Sequence, residues 1–470
     1  MTERMKVDKQ DERNGDIRID YANAMAERVG AEHGITEEEL NQLTDTVSAY
    51  HRELEEERRQ GIIGFYDLPY QKETLNLLKQ VADDVARRFD NLVVIGIGGS
   101  ALGTIALKAA LCHPYHDLLD RQERAERPRL FVSDDIDPAR VFRLISMLDL
   151  DRTAFNVVTK SGTTPETVAQ LLVIMNELKQ KFGSKYRDHM TVTTDPTDGW
   201  VREFAEREEL VTFDVPKNVG GRFSVFTPVG LFPAAVVGVD VASLLSGAAR
   251  MDERCKAAKL TDNPAYINAA IHYLCDTRKG MNICVMMSYS YHLRKIAAWF
   301  RQLWAESLGK KQLLSGEIRH TGQTPVAALG VTDQHSQLQL YMEGPRDKIV
   351  TFLVVKDFGD QVEIPWSLPE ADRLSTVRYR TLSDLMETER LGTQLALTRA
   401  GVPNITVEIA RVEPYTVGQL LYMFEVQTAM AGKLYRVKTF DQPGVDELKR
   451  VTRSLDAIEP GERGRSRWYL

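Results

Sequence analysis

The spacing of short apolar runs constrains this chain most. NLVVIGIGG (91–99), RLFVSDD (129–135), AFNVVTK (154–160) and MTVTTD (190–195) are each separated from the next by helix-length sequence. Strands buried on both faces read as continuous apolar runs, and parallel neighbours need a crossover, so this spacing predicts βαβ units. LVTFDVP (210–216) is a candidate fifth strand. A helical stretch then precedes a second set: NICVMMSYS (282–290), PVAALGV (325–331), KIVTFLVVKDF (348–358) and VPNITVEIARV (402–412). At 470 residues the chain is too long for one ordinary core. The prediction is an α/β protein with two parallel sheets flanked by helices: an N-terminal helical arm (1–60), α/β domains over 61–250 and 251–412, and C-terminal helices over 413–470.

The arm contains a charged amphipathic helix over 37–60, with Leu40, Leu43, Val47 and Leu54 on one stripe. Hydrophobic residues at 43% and charged residues at 27% describe a globular protein. A net charge of -7 argues against a nucleic-acid surface as the main function. Cys112, Cys255, Cys275 and Cys284 lack CxxC spacing, so neither a zinc site nor a disulfide framework is indicated, and a reducing cytoplasm is the expected compartment. The charged N-terminus lacks a signal-type apolar core. The longest apolar run, GLFPAAVVGVDVASLL, is broken by Pro233 and Asp240, so no membrane span is expected. The histidines show no HxH or HExxH spacing, and the nearest pair, His113 and His116, flanks a turn; no metal and no cofactor are expected.

Two strand-to-helix turns carry the chemistry. VVTKSGTTPET (157–167) runs from a strand into Thr159, Lys160, Ser161, Gly162, Thr163 and Thr164 before a helix start at Pro165. Thr163 or Thr164 can cap that helix, with Glu166 spaced for a capping box around Thr163. A helix N-terminus ringed by hydroxyls offers N–H donors and a positive dipole end to a phosphate monoester. Taken singly, such a stretch is more often a capped helix after a polar loop. The second turn, VVIGIGGSALG (93–103), places Gly96, Gly98, Gly99 and Ser100 at the end of another strand. Gly96-x-Gly98-x-x-Ala101 also approximates a dinucleotide fingerprint, with Asp134 and Asp135 ending the next strand. A nicotinamide oxidoreductase therefore stands as an alternative, although it leaves the second cradle unexplained. A sugar phosphate bound between the two loops accounts for both.

GIGGSALG, TKSGTTPET, NVGGRFSVFTPVG (218–230), WAESLGK (304–310), DQHS (333–336) and FDQPGVDELK (440–449) occur in the order found in the glucose-6-phosphate isomerase family. The chain resembles the shorter, bacterial form of that family from about residue 60 to 450. The resemblance implies two sugar-isomerase-type domains, a homodimer, and glucose 6-phosphate and fructose 6-phosphate as substrates. It implies Glu306 as base, with Trp304 as an aromatic neighbour, and Arg222, beside Gly221, as the cation facing an enediolate. It assigns His335, reaching the site from a partner subunit, to ring opening, and Lys449 to ring opening or to contacts near the ring oxygen, with Gln302 and Gln442 as substrate contacts. Without the motif each has a plainer reading: a solvated helical Glu, a structural Arg ion pair, an incidental loop His, a surface Lys. Asp446 departs from the family, which usually has Glu there. A non-catalytic sugar-phosphate-binding protein would keep the hydroxyl cradle but lose the base.

Overall fold

A computed structural model describes residues 15–365 and 380–456. Residues 1–14 of the expected arm and 457–470 of the expected C-terminal helices lie outside the described residues. Strand β1 (Arg18–Asp20) opens the N-terminal segment. The first sheet is built from β2 (Asn91–Ile95), β3 (Arg129–Ser133), β4 (Thr153–Thr159), β5 (Met190–Thr194) and β6 (Val211–Asp214). The second sheet begins with β7 (Ile283–Ser288); a separate hairpin of β8 (Lys310–Gln312) and β9 (Ile318–Thr321) follows, and the sheet resumes with β10 (Thr324–Leu329), β11 (Lys348–Asp357) and β12 (Asn404–Arg411).

All nine runs named from sequence are strands, and the fifth, LVTFDVP, is β6. The first sheet is entirely parallel, in the order β3-β2-β4-β5-β6. Central β2, β4 and β5 are buried at every position, whereas the edge strands β3 and β6 are only partly covered. That difference is why the central runs are the more uniformly apolar. Because β2 is flanked by β3 on one side and β4 on the other, the connections leave it in opposite directions. In such sheets the crevice outside the carboxyl ends of those two central strands is the natural ligand site. The Gly-rich turn follows β2 and the hydroxyl-rich turn follows β4, so both predicted loops open onto that crevice.

The second sheet, β1-β12-β11-β7-β10, repeats the pattern with β7 flanked by β10 and β11. Its edge differs from expectation: β1 adds antiparallel to β12 in a segment read as purely helical. The single helix expected over 37–60 is two, Glu37–Asn41 and Thr44–Arg59. Thr36 caps the first through a capping box with Glu39, and Leu40, Val47 and Leu54 are buried as the stripe predicts. The segment is fixed by Arg58, which makes a two-pronged ion pair with buried Asp252, itself bonded by Tyr70 and Tyr422.

The interrupted apolar run becomes two helices, Pro228–Val236 and Val241–Cys255, with Asp240 capping the second through Ala242 and Ser243. No described helix is long and apolar enough to cross a membrane. One hydrophobic core runs from Leu92 and Val94 of the first sheet to Ile405 and Val407 of the second, through the buried helix Pro414–Tyr435. Between the sheets, helix Arg294–Leu308 packs on helix Gly99–Leu111. That packing carries Glu306 to the crevice of the first sheet.

Candidate active site

Helix Pro165–Phe182 begins at Thr164. The expected capping box around Thr163 does not form: Thr164 is the N-cap and its side chain makes no cap bond. Its hydroxyl instead lies 3.2 Å from Thr159 Oγ1 and 3.0 Å from Ser161 Oγ. Thr163 N–H leans on Ser161 Oγ at 3.4 Å. The Thr164 hydroxyl thus links those of Thr159 and Ser161 in a chain, and the helix's first N–H groups are left for a partner other than a capping side chain. Gly162 takes a positive φ of 63°, and a Cβ there would lie 2.9 Å from Gly199 Cα, so the tight turn demands glycine. The Lys160 side chain turns away from the hydroxyls. Its ammonium donates to Lys217 O at 2.8 Å and Val219 O at 2.6 Å, tying this loop to the segment before Gly220. Burial there holds the Lys160 amine below its ordinary basicity.

The turn after β2 meets the same segment. A Cβ on Gly99 would fall 2.4 Å from Gly221 C and O, so these two glycines are in backbone contact. Ser224 Oγ–H donates to Gly99 O at 3.3 Å, and Ser100 sits half-buried in the first turn of helix Gly99–Leu111. The acids required by a dinucleotide site are engaged elsewhere. Asp134 pairs with Arg140 at 2.7 Å, and Asp135 accepts the Asp137 N–H.

From this contact Arg222 extends into the protein, its side chain 1% exposed. Nε donates to Ser307 Oγ at 2.7 Å, and Nη1 to Gln442 Oε1 at 3.1 Å and Glu306 Oε2 at 3.4 Å. Nη2 reaches Thr439 O at 2.5 Å and Asp441 O at 3.1 Å. Desolvation lowers the guanidinium's basicity and Glu306 opposes that shift. A guanidinium remains charged in such a setting, so it serves as a fixed cation. Gln302, one turn before Glu306, donates Nε2 to Glu306 Oε1 at 2.9 Å, and the Glu306 side chain is 28% exposed. Trp304 does not shield it. On the opposite face of the helix, Trp304 packs in the core against Phe300 and His272. Residues two apart on a helix face different ways, which sequence adjacency conceals.

Arg222, Gln302, Glu306 and Gln442 therefore meet, with Gly99, Ser100 and Gly221 beside them. His335 and Lys449 do not join them within this chain. His335 is exposed at the end of the turn Thr332–Gln334, which Asp333 braces by accepting Leu329 N–H at 2.7 Å. Lys449 lies partly exposed on helix Pro443–Asp456. Among the described residues no hydrogen bond or ion pair joins either side chain to the Arg222–Glu306 cluster. Two side chains in that cluster were not singled out from sequence, Ser307 and Lys310. Both lie inside WAESLGK, the segment that pointed to Glu306. The acceptor carbonyls of Thr439 and Asp441 carry no side-chain signal at all.

A family model described as phosphoglucose isomerase matches residues 80–364. The glucose-6-phosphate isomerase of Carboxydothermus hydrogenoformans is 42% identical over 450 residues, covering 96% of this chain and 96% of that one. That of Rubrobacter xylanophilus is 43% identical over 441 residues, covering 93% and 97%. A hypothetical protein from Thermus thermophilus has a solved structure that superposes with a TM-score of 0.83 at 36% identity, covering 94% of this chain and all of that one. The solved glucose-6-phosphate isomerase of Chlamydia trachomatis shares the fold, with a TM-score of 0.72 at 24% identity over 84% of this chain and 75% of that one. The chain belongs to the phosphoglucose isomerase family.

Proposed function

We propose that this chain interconverts glucose 6-phosphate and fructose 6-phosphate, a step of glycolysis and gluconeogenesis, in the cytoplasm and as a homodimer. The observation that carries the reading is Arg222 and Gln302 converging on a partly exposed Glu306 beside the glycine contact at the crevice. In this reading the Thr159–Thr164 loop and the helix start hold the phosphate. Glu306 takes the C2 proton of the open-chain aldose, and the C–H electrons move through C1–C2 to make a cis-enediolate. Arg222 stabilises the oxygen charge, the O2 hydroxyl proton passes to O1, and Glu306 returns its proton to C1 as the C1=C2 pair forms the new C1–H bond and the O2 pair closes C2=O. The interconversion is redox-neutral, so it consumes no hydride acceptor, and a buried guanidinium supplies the positive charge without calling for a metal.

Lys449 and a His335 supplied across a subunit interface open the sugar ring. Exposure of His335 and its separation from the cluster support an intersubunit role. The test is an assay of fructose 6-phosphate consumption coupled to glucose 6-phosphate detection. Conversion at an enzymatic rate is expected. Tight binding of the sugar phosphate without turnover would instead mean a non-catalytic binding protein.

A further inference from the structure

Lys310 lies just beyond helix Arg294–Leu308, at the first position of β8, with its side chain 4% exposed. Its ammonium donates to Glu306 O at 2.9 Å and to Asp441 O, and stands 3.0 Å from Asp441 Oδ1. Glu306 O is one of the carbonyls at a helix end that have no intrahelical partner, so a cation there satisfies both the acceptor and the helix dipole. Asp441 O also accepts Arg222 Nη2. Two buried cations therefore grip one carbonyl of the segment 439–442, and one of them also holds the backbone of Glu306. Beyond this segment, helix Pro443–Asp456 carries Lys449 and is itself poorly covered, with Leu448 65% exposed. The grip at Asp441 is thus a point where that helix is registered against Glu306.

We propose that Lys310 is a positioning residue that clamps the segment 439–442 to the carbonyl end of the helix bearing Glu306. Gln442 and Lys449 are thereby held in register with Glu306. Lys310 touches backbone on both sides, so it acts through Glu306 and the C-terminal segment and exchanges no proton with substrate. The inference rests on Glu306 being the base.

The test compares Lys310→Met, which keeps the aliphatic stem and loses the ammonium, with wild type, well below the unfolding midpoint of both. The expected result is a fall in kcat of about 10-fold, as misalignment produces, with inhibition by inorganic phosphate unchanged. A structural role alone would lower the melting temperature and leave kcat intact. Combined with Lys449→Ala, the loss should be smaller than the product of the single losses, because the clamp acts partly through Lys449. Wild-type kcat in Lys310→Met, or fully multiplicative losses in the double variant, would overturn the clamp. Should Lys310→Met fail to fold, Lys310→Gln retains an uncharged N–H donor group and should show a smaller fall in kcat; wild-type kcat there overturns the clamp equally. Solvent-hydrogen exchange in Glu306→Gln keeps the two failures apart. A wild-type exchange rate sinks the base assignment itself, whereas lost exchange with a normal Lys310→Met sinks only the clamp.

Discussion

The Arg222 guanidinium stands 3.4 Å from the Glu306 carboxylate, longer than a charge-assisted hydrogen bond usually measures. Arg222 makes its shorter bonds to Ser307, Gln442 and two backbone carbonyls. The cation is thus immobilised by the protein, and it engages the carboxylate beside it only loosely, the firmer contact of Glu306 being the Gln302 amide at 2.9 Å. A base must leave its partner to take a proton, so this division of contacts suits proton transfer.

Replacing Glu306 by Gln keeps the shape and the Gln302 neighbour but removes the base. Isomerisation should fall at least ~10²-fold, the lower end of general-base contributions. Exchange of the substrate's C1 or C2 hydrogen with deuterated solvent is the direct readout. Binding of inorganic phosphate should survive.

Ser161→Ala combined with Thr164→Ala removes the paired hydroxyls while leaving Pro165 to start the helix. Each donor lost to a charged phosphate should cost about 1.5–3 kcal/mol. Affinity for fructose 6-phosphate, measured by calorimetry, should drop accordingly. Unchanged affinity would show that the phosphate binds elsewhere.

Gly99→Ala drives a Cβ to 2.4 Å from the Gly221 backbone, where no flexible side chain can yield. A loss of about 1–3 kcal/mol of stability is expected, together with lower activity, because the contact also sets Arg222. Gly392 lies inside helix Leu382–Arg399, where an added Cβ would meet nothing within 4 Å among the described residues. Gly392→Ala should stabilise by about 0.5–1 kcal/mol. Denaturant titration of both variants checks the pair, and equal shifts would contradict the close approach.

Mixing Glu306→Gln with His335→Ala tests the intersubunit assignment. If His335 serves the neighbouring subunit's Glu306, each mixed dimer contains one complete site. Activity should return on denaturing and refolding the two variants together. No recovery, with mixed dimers demonstrated by mass spectrometry, would place His335 in its own chain's site or outside the chemistry.

Glu425 lies on the buried helix Pro414–Tyr435, and neither carboxyl oxygen has a hydrogen-bond partner among the described residues. Burial pushes its pKa well above the ordinary carboxylate range, so the folded protein holds the proton that the unfolded chain releases. The native state therefore binds more protons, and this group's contribution to stability falls as pH rises above the unfolded carboxylate range. Glu425→Gln cannot release a proton. Its melting temperature should exceed that of wild type by a margin that widens from about pH 5 to about pH 8. A margin independent of pH would exclude the carboxyl as the cause.

Much of the architecture was legible because its signals are local. Apolar runs such as Leu92–Ile95 and Phe155–Val158 are buried on both faces, and the helix-length sequence between them imposes parallel pairing. The turns at 96–100 and 159–164 declare themselves by glycine and hydroxyl chemistry within a few residues. Glu306, Arg222 and Gln302 were reached through motif order, since neither their types nor their spacing would have singled them out. Tertiary structure alone decided what meets: Gly99 against Gly221, Arg222 against Thr439 O across 217 positions, Lys310 against Asp441, and β1 on the edge of β12. It also turned Trp304 into the core and committed the Thr164 hydroxyl to Thr159 and Ser161 instead of a helix cap. Local propensity and hydrophobic period act over a turn or a strand, whereas these contacts depend on how two sheets and the helices between them pack. Backbone carbonyls, present at every residue, carry no sequence mark of the ones a buried cation will choose.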